Sequence, residues 1–462
     1  MPSTLYDFAT WEPLLRVLRA DKAKSLAAPG GYVTGRVGLH GWSLPLTRRT
    51  PPPGQAAQME DSQNEYDAVA RIHGALIEAG VDDIAFTAEI APSGRAVLRL
   101  LGPSPAVEPG VGTVHPAALI LVEGAVAEPW RRAPEPAPDA APAPTVDPAL
   151  LERTLRERIP DAVGATEEEL AATEARLGVV LPDELKALYR VTRARWEDWD
   201  GDYAVADRVF EAVGCELLPL EGLYLAEPET RPAMWSFAAM DAVVTLPDAE
   251  VQGLVGSPGW IVFGDNGGGD RIAVDLTPGP RGHLGQIILI GHEEHTGADL
   301  VADSLTDMVL NGPDENPRRH RRDDEPPLVA HVNHRAITAV EAAAHPGLEV
   351  LSLGVWDGEP FGLAPVIGLP RLRTLSAYPG TLADPLEISR LTGLEFLELP
   401  PEEWRVLLDA GAVPRTLLAA AVVVHGNPHP LPIVDLANEI LALWDRPLIV
   451  PTLLEDDLGP LS

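Results

Sequence analysis

Between residues 348 and 422 one apolar spacing returns four times. Leu348-x-x-Leu351-x-Leu353, Leu372-x-x-Leu375-x-Ala377, Leu394-x-x-Leu397-x-Leu399 and Leu417-x-x-Ala420-x-Val422 follow one another at offsets of 24, 22 and 23 residues. No other feature restricts the fold so strongly. A unit this short cannot bury its apolar face alone, so neighbours must stack, each contributing a short strand whose apolar groups point into a shared core. The last copy is degenerate and the stack needs a cover, so Asp435 to Trp444 (DLANEILALW) is predicted to form a capping helix.

The pattern and its period resemble leucine-rich repeats, a resemblance that implies a short solenoid used to bind proteins more often than to catalyse. Upstream, two stretches are too poor in apolar groups to pack. Residues 131–148, RRAPEPAPDAAPAPTVDP, alternate Pro with Ala and charge, which predicts an extended polyproline spacer. Residues 311–327, NGPDENPRRHRRDDEPP, read as a second, charged linker. The chain of 462 residues thereby divides into pieces 1–130, 149–310 and 328–462, a multi-domain α+β protein. In the first piece a helix is predicted from about Asp61 to Ala79, with Val69, Ile72, Leu76 and Ile77 at helical spacing. Ile84, Phe86, Ala88 and Ile90 then alternate, Pro92-Ser93-Gly94 turns, and Ala96, Leu98 and Leu100 alternate again, which reads as a hairpin.

The formal charge is −34, from 69 acids against 35 bases. Such a field repels nucleic-acid phosphates and anionic membrane surfaces and suits a cationic protein partner. The single cysteine, Cys215, excludes an intrachain disulfide and a thiolate metal cluster, and is expected as a buried apolar side chain. Asp7 and Glu12 interrupt the N-terminal stretch where a signal peptide needs an unbroken apolar core, and no segment is long and apolar enough to span a bilayer, so a cytoplasmic location is expected.

The middle piece opens with a capping box, Thr166-Glu167-Glu168-Glu169, followed by Leu170 and Leu177 on one helical face. LPDELKALY (181–189) reads as a second helix, with Pro182 suited to its first turn. A hairpin from Trp260 to Leu276, a strand Gln286–Ile290 and an amphipathic helix around Ala298 to Leu310 complete an α+β order. The succession TEEELAATEARLGVVLPDELKALYRV, LLPLEGLY, WIVFGDNGGGDRIAVDL, GPRGHLGQIILIGHE and DSLTDMVL resembles the SUKH superfamily, also called the Smi-Knr family, over roughly residues 150–310. That resemblance implies a non-enzymatic protein binder. Bacterial members are mostly immunity proteins that neutralise polymorphic toxins, many of them nucleases, and fungal members are scaffold-like regulators of cell-wall synthesis. The sequence departs from the family after Tyr189, where Val191-Thr192-Arg193-Ala194 replaces the usual Asn-Gly turn.

Four groups of residues invite chemistry. Gly264 to Gly269 has P-loop glycine spacing, yet Asp270 and Arg271 stand where Lys and Ser or Thr belong, and a carboxylate there repels phosphate. Gly264, Gly267, Gly268 and Gly269 are therefore read as a structural turn that permits positive φ between paired strands. Asp198, Asp200 and Asp202 occupy the first, third and fifth places of a calcium loop, but Tyr203 and Val209 replace its glycine and its bidentate glutamate. Trp196, Glu197, Asp198, Trp199, Asp200 and Asp202 are instead assigned to partner binding, aromatic anchors among steering carboxylates, and Glu293 and Glu294 are counted with them. His292-Glu293-Glu294-His295 has its histidines at i, i+3 rather than the i, i+4 of a zinc helix, and His425 and His429 lack a carboxylate cluster, so no metal is expected. No catalytic residue and no cofactor are assigned.

Residues 151–310 hold 30 acids against 12 bases, a net charge of −18 and more than half the total. An immunity protein for a cationic toxin domain is the leading expectation. A cytoplasmic scaffold for endogenous proteins is the alternative, and an enzyme using Asp61, Glu65, Asp67 and His73 of the first piece is the second alternative.

Overall fold

Alternation decides the first sheet. Along the strand Asp83–Ile90, the side chains Ile84, Phe86, Ala88 and Ile90 share one core with Trp11, Leu14, Leu15 and Leu18 of the helix Phe8–Asp21 and Val69, Ile72 and Leu76 of the helix Gln63–Ala79. Trp11 meets Phe86 edge to face, their centroids 5.4 Å apart. The computed structural model describes residues 4–47, 63–110, 112–199, 201–312 and 326–460. They divide into two units, Met1–Ala125 together with Ala330–Ser462, and Val126–Val329.

In the first unit an antiparallel sheet runs in the order Pro451–Asp457, Arg95–Leu101, Asp83–Ile90, Val33–Gly38, Gly41–Ser43. Its outermost strand comes from the far end of the chain and pairs with Arg95–Leu101 over seven positions, from Pro451 opposite Leu101 to Asp457 opposite Arg95. Buried Arg19 reinforces the joint by donating to the carbonyls of Gly459 at 2.6 Å and Pro92 at 2.8 Å. The repeat region forms a second sheet whose strands Val350–Leu353, Thr374–Ala377, Phe396–Leu399 and Ala419–Val422 are parallel and in register. Leu348, Leu351, Leu353, Leu375, Leu397 and Leu399 stack in one core with Trp404, Leu407, Ile433 and Ile440. The covering helix runs Pro430–Ala442, earlier than the predicted span, because His429 caps it through Nδ1, which accepts from the Leu431 amide. Ala118–Ile120 closes the open edge antiparallel to Ala419–Ala421. Pieces 1–130 and 328–462, separate in the sequence reading, are thus interleaved in one unit, because each supplies an edge strand that the other's sheet lacks.

The second unit packs the helices Pro148–Arg158, Glu167–Leu177, Asp183–Val191, Tyr203–Val213 and Leu305–Asn311 against an antiparallel sheet ordered Asp299–Ala302, Gln286–Ile290, Arg271–Asp275, Trp260–Asp265, Glu216–Leu217. Trp260–Asp265 is buried along its whole length. Ile261 and Phe263 face the helices, while Trp260 and Val262 meet Ala226 and Leu254 on the other side. The capping box forms as read, with Glu169 N–H donating to Thr166 Oγ1 at 3.2 Å and Thr166 N–H donating to Glu169 Oε2 at 2.8 Å. The predicted helix around Ala298 to Leu310 is corrected to the strand Asp299–Ala302 followed by Leu305–Asn311, since the strand completes the ladder beside Gln286–Ile290 and Ser304 then caps the helix through Asp307 N–H.

The Pro/Ala-rich stretch 131–148 is no free spacer. Gln252, 2% exposed, donates to the Glu135 carbonyl and accepts from the Glu135 amide, both at 2.8 Å, and Thr145 donates to Ser304 at 2.9 Å. A buried carboxamide needs partners for both its atoms, and extended proline-rich backbone has unpaired groups to offer. Residues 313–325 of the expected linker 311–327 lie outside the described residues, as do Asp61 and Asp200.

Candidate functional site

Gly264 to Arg271 is closed on itself. Asp265 accepts from the amides of Gly267 at 2.7 Å and Gly269 at 3.4 Å and pairs with Arg271, while Asn266 Oδ1 accepts from Gly268 at 2.8 Å and Asp270 at 3.1 Å. The amides that would cradle a phosphate are consumed by the turn's own side chains. Gly267 and Gly269 take φ of 81° and 101°. Gly264 has a different reason: a Cβ there would stand 2.8 Å from Cys215 Sγ and 2.9 Å from the Glu216 carbonyl, beside the strand bulge at Val262–Gly264. Cys215 is fully buried, and burial pushes its thiol up to about 12.

The acidic tryptophan segment divides into supports and exposed groups. Asp198 is held by Arg193, with Nε–Oδ2 at 2.7 Å and Nη2–Oδ1 at 2.8 Å, and this pair keeps the carboxyl below its ordinary range. That carboxylate already has a cation, which Arg193 shares with Glu169, so its pull on a basic partner is weakened. Asp202 caps the helix Tyr203–Val213 by accepting from Ala204 N–H at 2.9 Å. Trp199 is partly buried against the helix–sheet core. Trp196 is 43% exposed and meets Tyr203 edge-on at 4.9 Å.

Tyr203 is 73% exposed and Phe210, seven residues on, 41%, so both lie on one face of a helix whose other face buries Val209, Ala212 and Val213. Asp207, Arg208 and Glu211 are exposed on the same helix, and Glu197, Asp202 and Glu216 are exposed in the segments that flank it. The sequence reading named Trp196 but missed Tyr203 and Phe210; their i, i+7 spacing opposite the apolar positions was the available signal.

Glu293 and Glu294 lie on a separate loop. The side chain of Glu293 is 87% exposed. His292 Nδ1 lies 2.7 Å from Asp270 Oδ1, and that hydrogen bond raises the imidazole above its ordinary value. Arg231 donates to the carbonyls of Gly291, Glu294, Gly297 and Val255; burial brings its guanidinium down to about 10. The histidine pair His292 and His295 therefore anchors a loop, and among the described residues no group of three or more His, Cys, Asp or Glu is placed to hold a metal.

Glu65 of the first unit accepts from Trp42 Nε1 at 2.6 Å, and the Trp42 ring packs against Tyr66 and His73. A cavity of about 510 Å³ in that unit is lined by Arg36, Asp82, Asp83 and Glu108, and neither Glu65, Asp67 nor His73 reaches it. Among the described residues no helix is long and apolar enough to cross a membrane.

Comparison with known families places one match in the second unit. Residues 164–311 match the SMI1 / KNR4 family (SUKH-1). The chain is similar to the glucan synthesis regulatory protein of Neurospora crassa, 30% identical over 103 residues, which are 22% of this chain and 19% of that protein. It is also similar to the cell wall biosynthesis/cell cycle regulator smi1 of Schizosaccharomyces pombe, 42% identical over 65 residues, 14% of this chain and 13% of that one. A KNR4/SMI1 homolog of Yarrowia lipolytica is 45% identical over 56 residues, 12% of this chain and 7% of its own length. The chain thus spans a fifth or less of each of these relatives. Residues 164–311 carry the helices Glu167–Leu177, Asp183–Val191, Tyr203–Val213 and Leu305–Asn311, the antiparallel sheet and the closed glycine turn, and this segment is the domain that matches the SMI1 / KNR4 family (SUKH-1).

Proposed function

We propose that this protein acts by binding other proteins and not by catalysis, as an immunity protein whose middle unit covers the functional surface of a cationic toxin domain. The observation that carries this reading is the set of exposed aromatics Trp196, Tyr203 and Phe210, the last two on a helix that also exposes Asp207 and Glu211. Aromatic side chains anchor an interface with large area at small entropic cost, and the acids accelerate encounter with a basic partner. A nuclease domain, cationic because it binds phosphates, has the matching field. The repeat region is read as a leucine-rich-repeat-like solenoid offering a second contact surface, and the setting as the cytoplasm.

The test is co-expression with a toxin domain encoded beside the gene. Wild-type protein should restore growth, and the triple variant Trp196→Ala, Tyr203→Ala, Phe210→Ala should not. Equal rescue by a folded triple variant would remove this face from the contact. The names of the fungal relatives favour the second reading, a regulatory scaffold for endogenous proteins. That reading predicts binding to such partners through the same aromatics, with no rescue from any toxin.

A further inference from the structure

The strand positions that face away from the leucine core form rows across the repeat sheet. One row is Ser352, Ser376, Glu398 and Ala421, matched strand to strand by the parallel register. Glu398 is the single ionisable member, and it is partly buried. Ser376 donates to its Oε2 at 2.6 Å and, among the described residues, is the one recorded hydrogen-bond donor to this carboxylate. Tyr378, two residues beyond Ser376, packs its ring against the exposed imidazole of His425 with centroids 4.5 Å apart, and that imidazole lies within electrostatic range of Glu398.

A carboxylate partly withdrawn from water gains from a cation or several donors, since one neutral hydrogen bond replaces only part of the hydration it gives up. The structure leaves Glu398 short of that. Burial pushes its carboxyl up, and Ser376 and His425 offset only part of the rise. The missing partner is a positive charge, and the ring pair alongside offers a π-face over which an alkyl stem or a guanidinium plane packs well.

We propose that Glu398, Ser376, Tyr378 and His425 form a receptor for one lysine or arginine side chain of a basic partner polypeptide, with the cationic head on Glu398 and the stem against Tyr378. The site belongs to the first unit and stands independently of the exposed aromatics of the second.

The experiment titrates the full chain, carrying ring-labelled tyrosine, with N-acetyl-argininamide, N-acetyl-lysinamide and the uncharged N-acetyl-citrullinamide. NMR follows the Tyr378 signal, assigned through Tyr378→Phe. Glu398→Gln keeps an oxygen for the Ser376 hydroxyl and removes the charge, and its thermal midpoint checks that it folds. The proposal expects a saturable shift of Tyr378 with at least one charged probe, none with citrullinamide, and a loss of affinity of roughly tenfold or more in Glu398→Gln. No saturable response of the wild type to either charged probe, or equal affinity in folded Glu398→Gln, overturns it.

Discussion

Glu184 joins two elements far apart in sequence, and its removal can be costed from the structure. The residue is 5% exposed on the helix Asp183–Val191. Its carboxylate accepts from the amides of Leu305 at 3.2 Å and Thr306 at 3.0 Å, the first two residues of the helix Leu305–Asn311, and from the Thr306 hydroxyl. In Glu184→Ala the hydroxyl retains the Asp147 carbonyl, but the two amides lose their acceptor where water hardly reaches. Each orphaned amide costs about 1–3 kcal/mol, and losing an acid at a helix N-terminus adds about 0.5–2 kcal/mol. The expected cost is about 3–8 kcal/mol, a large part of the ~5–15 kcal/mol that stabilises an ordinary domain. Glu184→Gln keeps one acceptor oxygen and should lose about 1–3 kcal/mol. Hydrogen exchange of the full chain, read by mass spectrometry on peptides covering 305–311, measures both. Alanine should accelerate exchange by about a hundredfold or more, and glutamine by clearly less. An alanine variant within about 1 kcal/mol of wild type would show that the helix does not depend on this carboxylate and refute the reasoning.

Three further outcomes are expected. Burial pushes Asp275 up to about 6, above its value in the unfolded chain, so its contribution to stability is complete below about pH 4 and is lost as pH rises through about 6. Asp275→Asn should therefore gain about 2–3 kcal/mol on wild type across that window, on top of a constant offset for the bond from Gln286; a pH-independent difference in denaturant midpoints would contradict this. His292 should titrate above the ordinary histidine range and return to it in Asp270→Asn, as NMR of the imidazole protons will show; the contribution of this pair is present between the two midpoints, is lost as pH falls through the lowered Asp270 carboxyl and fades as pH rises through the raised His292 midpoint, and identical His292 midpoints in the two proteins would deny the pairing. Cys215 should resist a disulfide reagent in the native protein and react fully once unfolded, and fast native labelling would contradict its burial.

By itself the sequence determined whatever depends on neighbours within a turn or on a repeated period. Thr166 and Glu169 are three residues apart and close their box wherever the helix goes, and the leucines at 348, 372, 394 and 417 announce parallel strands because a repeated period repeats a conformation. The block order of residues 164–311 carries the family in the same linear way. Tertiary structure decided the rest. Pro451–Asp457 reads as no particular strand until Arg95–Leu101 offers it an edge, and Gln252 binds a proline-rich segment that looks unstructured in isolation. Asp198 looked like a steering charge because its partner Arg193, five residues away, is in no helical register with it and only the fold of that loop pairs them. Local preference is a property of a few adjacent dihedrals and can be read from a short window. The partner of an edge strand or a buried polar group is whichever distant segment satisfies it at least desolvation cost, and that choice exists only once the chain has packed.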